Sequence, residues 1–266
     1  MVTQSRQNLG QSVGGLIVVL LCVVAIGSLQ LPQLNKLKNT SNTASVAELN
    51  KEVESEKLRL NLLQKFPSFG FNNLVADWTF INFLQYFGDD ALRAKTGYSV
   101  SPEYFEVILN RDPYFLRAYF FLSGSTTLYA GMPDRTIALM EKGLKYLSPK
   151  VPAKSYYIWR YKGMNELLFT QHPQSAKQSF ETAAQWASIY SDAESKNLAR
   201  VSQQTAQFID KNPQSKSAQI TAWSMVLTNA LDDRTRQFAI GKIRVLGGNI
   251  SISPQGKVKI VLPKQD

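Results

Sequence analysis

Trp159 and Gly163 are followed downstream by Ala176, Phe180 and Ala183. Residues three, four and seven apart share one face of a helix. The first pair therefore sets a large and a small side chain on one stripe, and the second group sets two small ones about a ring. Helices bearing such stripes fit together by crossing closely, with each ring filling the space beside the other's small residue. The stretch from Tyr156 to Ala183 is thus constrained to a helical hairpin, with Thr170, Gln171, His172 and Pro173 as its turn.

A similar order of residues occurs twice before it. From Arg117 to Pro149, Phe120 and Gly124 take the large and small places on a first helix, and Gly131 marks the turn. Ile137, Met140, Gly143 and Leu144 form the stripe of the second helix. An amphipathic helix runs from Ala76 to Gly88, and after a loop Pro102 to Leu109 reads as its partner. That partner stops at Asp112 and Pro113, since proline cannot extend a helix. Downstream, Asp192 caps a helix that carries Leu198, Val201, Phe208 and Ile209. Another helix follows Ser215, with Ile220, Trp223, Leu227 and Leu231, and a last one follows Asp232 or Asp233 and ends at Gly247 and Gly248. Apolar alternation at Ile250 and Ile252, then at Val258 and Ile260, predicts a small β-hairpin.

The Trp159, Gly163, Ala176, Phe180 and Ala183 pattern resembles the tetratricopeptide repeat, with a slightly longer spacing between its two halves. Three such units recur at about that family's 34-residue period. The order Ala76, Asp77, Trp78, then Gln85 to Asp89, then Ala118, Tyr119 and Phe120 is similar to bacterial membrane-anchored repeat proteins, and the Gln/Asn-rich character is similar to cyanobacterial sequences. The resemblance implies an all-α, helical-hairpin repeat solenoid over 74–247. It also implies a non-catalytic scaffold or assembly factor that holds a protein or peptide segment in a concave groove. Carried over from the family, the groove positions are Phe121, Ser125 and Leu128 in one unit and Tyr157, Arg160, Tyr161 and Met164 in the next.

Residues 13–31 carry no charge. A bilayer span needs about 20 apolar residues, so 13–31 is predicted to be a single transmembrane anchor after a short tail, 1–12. The body is then expected on the non-cytoplasmic side of a plasma or thylakoid membrane. The alternative is a signal peptide. Ala25 and Gly27 are the small residues that a signal peptidase reads, which predicts cleavage near Gly27 and a secreted or periplasmic binding protein. Leu20 and Leu21 before Cys22 do not fit a lipoprotein signal. Residues 32–45 read as a polar tether. Ser45 and Glu48 form a capping box for an amphipathic helix over 46–66, and the hairpin occupies 249–262.

The search for chemistry yields no site. One cysteine and one histidine exclude an intrachain disulfide and a Cys/His zinc site. No phosphate-binding glycine loop, nucleophile elbow or calcium loop occurs, and no cofactor is implied. His172 falls in a turn, and the paired carboxylates Asp89–Asp90 and Asp232–Asp233 fit helix caps. The net charge of +10 is scattered, without the basic run of a nucleic-acid module. Its densest part is 232–266, with seven Lys/Arg against three Asp/Glu. This surplus fits an acidic protein partner or anionic lipid headgroups beside Lys36 and Lys38.

Overall fold

A computed structural model describes residues 19–24, 26–28, 30, 45–230, 232–252 and 258–263. The 1–12 tail, residues 32–44 of the tether, Leu231 and the 253–257 turn lie outside the described residues, as does much of 13–31. The chain divides into two compact units, Met1–Glu52 and Val53–Asp266.

In the first unit the capping box forms. The backbone N–H of Glu48 donates to Ser45 Oγ at 3.3 Å, and the N–H of Ser45 donates back to the Glu48 carboxylate at 2.9 Å. Residues 19–24 and 26–28 are helical. The anchor expected at 13–31 is not upheld: among the described residues no helix is long and apolar enough to cross a membrane. The uninterrupted apolar run, 16–26, is eleven residues, little more than half of the ~20 that a span requires. The single-pass plasma- or thylakoid-membrane placement and the membrane as a partner fall with it.

The second unit is mostly α-helical. The helices are α1 (Val46–Lys65, which begins in the first unit), α2 (Asn72–Gly88), α3 (Asp90–Thr96), α4 (Ser101–Arg111) and α5 (Leu116–Leu122). A π-helical segment, Ser123–Tyr129, continues α5. Then follow α6 (Pro133–Leu144), α7 (Tyr156–Leu168), α8 (Pro173–Ser188), α9 (Ala193–Lys211), α10 (Lys216–Thr228) and α11 (Asp233–Val245). Strands β1 (Asn249–Ile252) and β2 (Val258–Val261) pair antiparallel, Asn249 opposite Val261. Helices adjacent in sequence pack on one another, which is consistent with a helical-repeat fold; among the described residues no membrane-spanning helix precedes them.

Local chemistry sets the element ends. Asp89, Asp192, Ser215 and Asp232 accept hydrogen bonds from backbone N–H groups of the first turns of α3, α9, α10 and α11, at 2.8 to 3.1 Å. Such caps satisfy donors that a helix start leaves open. The first carboxylate of each adjacent pair, Asp89 and Asp232, is thus a cap, and the second lies in the first turn. Proline occupies the first turn of α4, α6 and α8, where no N–H is needed. Arg111 closes the opposite kind of end, donating to the carbonyls of Leu63 and Gln64 at 2.9 and 3.2 Å.

Two apolar clusters fill the unit. The first runs from Leu60 to Ile158 around an aromatic group in which the Phe83 and Phe105 rings lie 4.5 Å apart. The second runs from Met164 to Ile243, with Ile250 and Ile260 of the hairpin packed against it. At the crossing of α7 and α8, a Cβ on Gly163 would stand 3.1 Å from the Phe180 ring, and Ala176 and Ala183 are fully buried. The hairpin of α5 and α6 is built differently from the expectation. Tyr119 rather than Phe120 takes the large place, its hydroxyl donating to the Pro113 carbonyl at 2.8 Å, and it packs directly on Gly143. Gly124 lies at no crossing: a Cβ there would meet nothing within 4 Å. Phe66, Phe69, Phe71, Leu74, Trp78 and Ile81, on α2 and the loop before it, are exposed.

These two glycines make opposite predictions. Gly143→Ala would place its Cβ 1.8 Å from Tyr119 Oη; overpacking of this kind lowers stability by about 1–3 kcal/mol. Gly124→Ala gains helix propensity of up to about 1 kcal/mol at no steric cost. Urea unfolding of the two variants checks the contrast.

A candidate binding cleft

The π-helical segment shapes the site. Its run Ser123, Gly124, Ser125, Thr126 and Thr127 lacks strong helix formers, and the Ser125 hydroxyl donates to the Phe121 carbonyl at 2.7 Å, competing with the regular ladder. The widened turn is closed by Ala130 N–H donating to the Ser125 carbonyl at 3.0 Å. Such segments are rare and often mark functional positions. Here the segment is pinned to α7 by one buried amide. The side-chain amide of Asn165 donates to Ser123 Oγ at 2.9 Å and to the Tyr161 carbonyl at 2.8 Å, and its oxygen accepts from the Thr127 hydroxyl at 2.5 Å. Thr127 and Thr136 are 2.9 Å apart, which ties in α6.

Between this segment, α7 and the α10–α11 pair lies a small, partly open cleft. Phe87, Phe120, Phe121, Leu128, Tyr129, Tyr161, Met164, Met225 and Val226 line it, with Ser123, Gly124, Ser125, Asn229, Ala230 and Thr235. None of these carries a carboxylate, an imidazole or a cationic group. The rings are set edge to face: Phe120 and Phe121 at 5.3 Å, Phe87 and Tyr129 at 4.9 Å. A second hollow adjoins it, sharing Leu128, Tyr129 and Thr235 and adding Tyr98, Arg234 and Phe238. Tyr129 closes the junction through hydrogen bonds to Asp232 and Thr235.

Five of the seven residues inferred for the groove line this cleft: Phe121, Ser125, Leu128, Tyr161 and Met164. Tyr157 does not. Its ring stacks on Tyr161 at 6.2 Å and its hydroxyl is held by Glu194, which also pairs with Lys154. Arg160 is buried beside these tyrosines. Burial holds the Tyr161 hydroxyl protonated, with its pKa pushed up to about 12. The face expected to stand open is covered by the chain's own α10. Met225 and Val226 face Tyr161 and Met164 across the cleft, and Trp223 stacks edge-on against Phe169 at 5.6 Å. The apolar residues all round α10, from Ile220 to Leu227, are the signal of a clasped helix.

Polar chemistry elsewhere is structural. His172 is exposed at the start of α8. Lys162 and Glu166 form a buried ion pair at 2.5 Å, with Ser179 donating to Glu166 at 2.6 Å and Glu141 at 3.3 Å from Lys162. Among the described residues no group of three His, Cys, Asp or Glu stands ready to hold a metal ion.

No protein-family model, no curated protein and no solved structure matches the chain. The likeness to tetratricopeptide-repeat proteins, and to bacterial or cyanobacterial membrane-anchored ones, is therefore withdrawn. Small residues at helix crossings are a general packing solution and do not identify a family. The membrane-anchored scaffold or assembly factor falls with that likeness, and among the described residues no helix is long and apolar enough to cross a membrane.

The Asn165 amide is the pin to remove. Asn165→Ala takes the donor from Ser123 Oγ and leaves the Thr127 hydroxyl only Thr136 as a partner, at a cost of about 1–3 kcal/mol. Hydrogen exchange of the 123–130 amides should accelerate more than that of α8.

Proposed function

We propose that this chain is a non-catalytic binding protein whose cleft receives an apolar side chain of a peptide or protein segment. The observation that carries the reading is the lining itself. Aromatic rings and two methionines line the cleft, with only hydroxyls and one amide among them, the mostly apolar lining with a few polar groups that ligand clefts carry. Aromatics anchor binding energy in interfaces, and the flexible thioether adapts to varied partners. General acid–base catalysis needs a positioned titratable pair, and the lining offers only tyrosine hydroxyls, of which Tyr129 is engaged with Asp232. This reading accords with a secreted or periplasmic product released near Gly27. Intact-mass measurement on the protein from its native source should then show loss of the residues up to about that position.

Gly124 supplies the test, since it lines the cleft and has open space at its Cβ. Gly124→Leu should plug the cleft without lowering the unfolding midpoint. A displayed library of random twelve-residue peptides, selected on the wild-type chain, should yield sequences with a recurrent large apolar anchor. Those peptides should bind Gly124→Leu at least about tenfold more weakly, the scale of one buried side chain. Equal binding by the variant removes the cleft from the function.

A further inference from the structure

Arg160 is a buried cation without a counter-charge. The residue is 6 % exposed, and its Nε is sealed from solvent with no acceptor. Among the described residues no carboxylate lies within 4.0 Å of its guanidinium. Burial lowers its pKa, and its electrostatic neighbours are Tyr157, Tyr161 and Tyr156. A guanidinium stays protonated in proteins regardless, and burying it unpaired is costly. Two of the three tyrosines are already engaged, Tyr157 with Glu194 and Tyr156 with Ser195. Tyr161 is the third. It lines the cleft, and its hydroxyl has no hydrogen-bond partner among the described residues. Met164, one turn beyond Arg160 on α7, lines the cleft as well.

We infer that Arg160, with the Tyr161 hydroxyl, forms a carboxylate subsite beside the apolar cleft, so that the bound peptide presents an acidic group next to its apolar anchor. A carboxylate supplies the missing counter-charge and accepts from both donors, and guanidinium–carboxylate pairing is the strong form of such a bond. The net charge of +10 favours approach of an acidic ligand. The inference rests on the cleft being a peptide site. The carboxylate has two possible sources, a chain terminus or an Asp/Glu side chain.

Equilibrium dialysis of the full chain against three random hexapeptide pools separates them. One pool has free C-terminal acids and lacks Asp and Glu. The second is C-terminally amidated and also lacks them. The third is amidated with one Glu per peptide. The wild-type chain should retain one of the two carboxylate pools about tenfold or more above the neutral pool, and the pool retained names the source. Arg160→Met should bring that ratio close to one, and Arg160→Lys should restore part of it. Tyr161→Phe, which removes only the hydroxyl, should reduce the ratio several-fold and keeps the test open if Arg160→Met does not fold. Retention of all pools alike by the wild-type chain, or a ratio unchanged in the Arg160 and Tyr161 variants, overturns the subsite and leaves the cleft standing. Retention of no pool overturns both.

Discussion

The buried amide of Asn165 is the contact on which the site depends. An amide taken out of water is tolerated only when its hydrogen bonds are met, and those of Asn165 are met by Ser123, Thr127 and the Tyr161 carbonyl. These partners lie on two helices, so the amide fixes how the π-helical segment sits on α7. It also selects that segment's composition. Hydroxyl residues reach the amide, and the same residues weaken the regular helix and admit the wider turn. The cleft is what such a turn leaves between itself and the next helices when its side chains are too small to fill the space.

What was legible in the sequence follows from the range of each interaction. The caps at Asp192, Ser215 and Asp232, and the Ser45–Glu48 box, involve neighbours three residues apart and read directly from spacing. The Gly163–Phe180 crossing was legible because one hairpin contains both partners. The reading slipped where two rings competed for one place. Tyr119 and Phe120 are adjacent and both aromatic, and burial of the tyrosine is decided by the Pro113 carbonyl that accepts its hydroxyl, a partner that no periodicity marks. Residues 13–31 are charge-free, but their uninterrupted apolar part is eleven residues, and among the described residues no helix is long and apolar enough to cross a membrane.

The least legible feature was the cover over the groove. Five of the residues that the family resemblance implied for a groove lie on α5, its π extension and α7 and line the cleft. Met225 and Val226 oppose them from a helix far along the chain. Long-range docking leaves only an indirect trace, here a helix apolar on every side, which must be enclosed by something. An α10 enclosed by the chain itself turns an open concave surface into a bounded cleft. A bounded cleft with rigid aromatic walls selects one side chain rather than a long strand.

Two cations on α7 show the difference between a structural and a functional burial. Lys162 and Arg160 are nearly equally hidden, at 7 % and 6 % exposure. Lys162 meets Glu166, Glu141 and Ser179, so its charge is compensated within the fold and helps to hold α7 on its neighbours. Arg160 meets no carboxylate, although the same helix shows that one can be placed for it within a single turn. Folding stability alone favours an apolar residue at such a position. Functional sites are one place where a local cost of this kind is kept. The tyrosines around Arg160 and the apolar walls beside it are the surroundings in which an incoming carboxylate gains most from a guanidinium largely withdrawn from water.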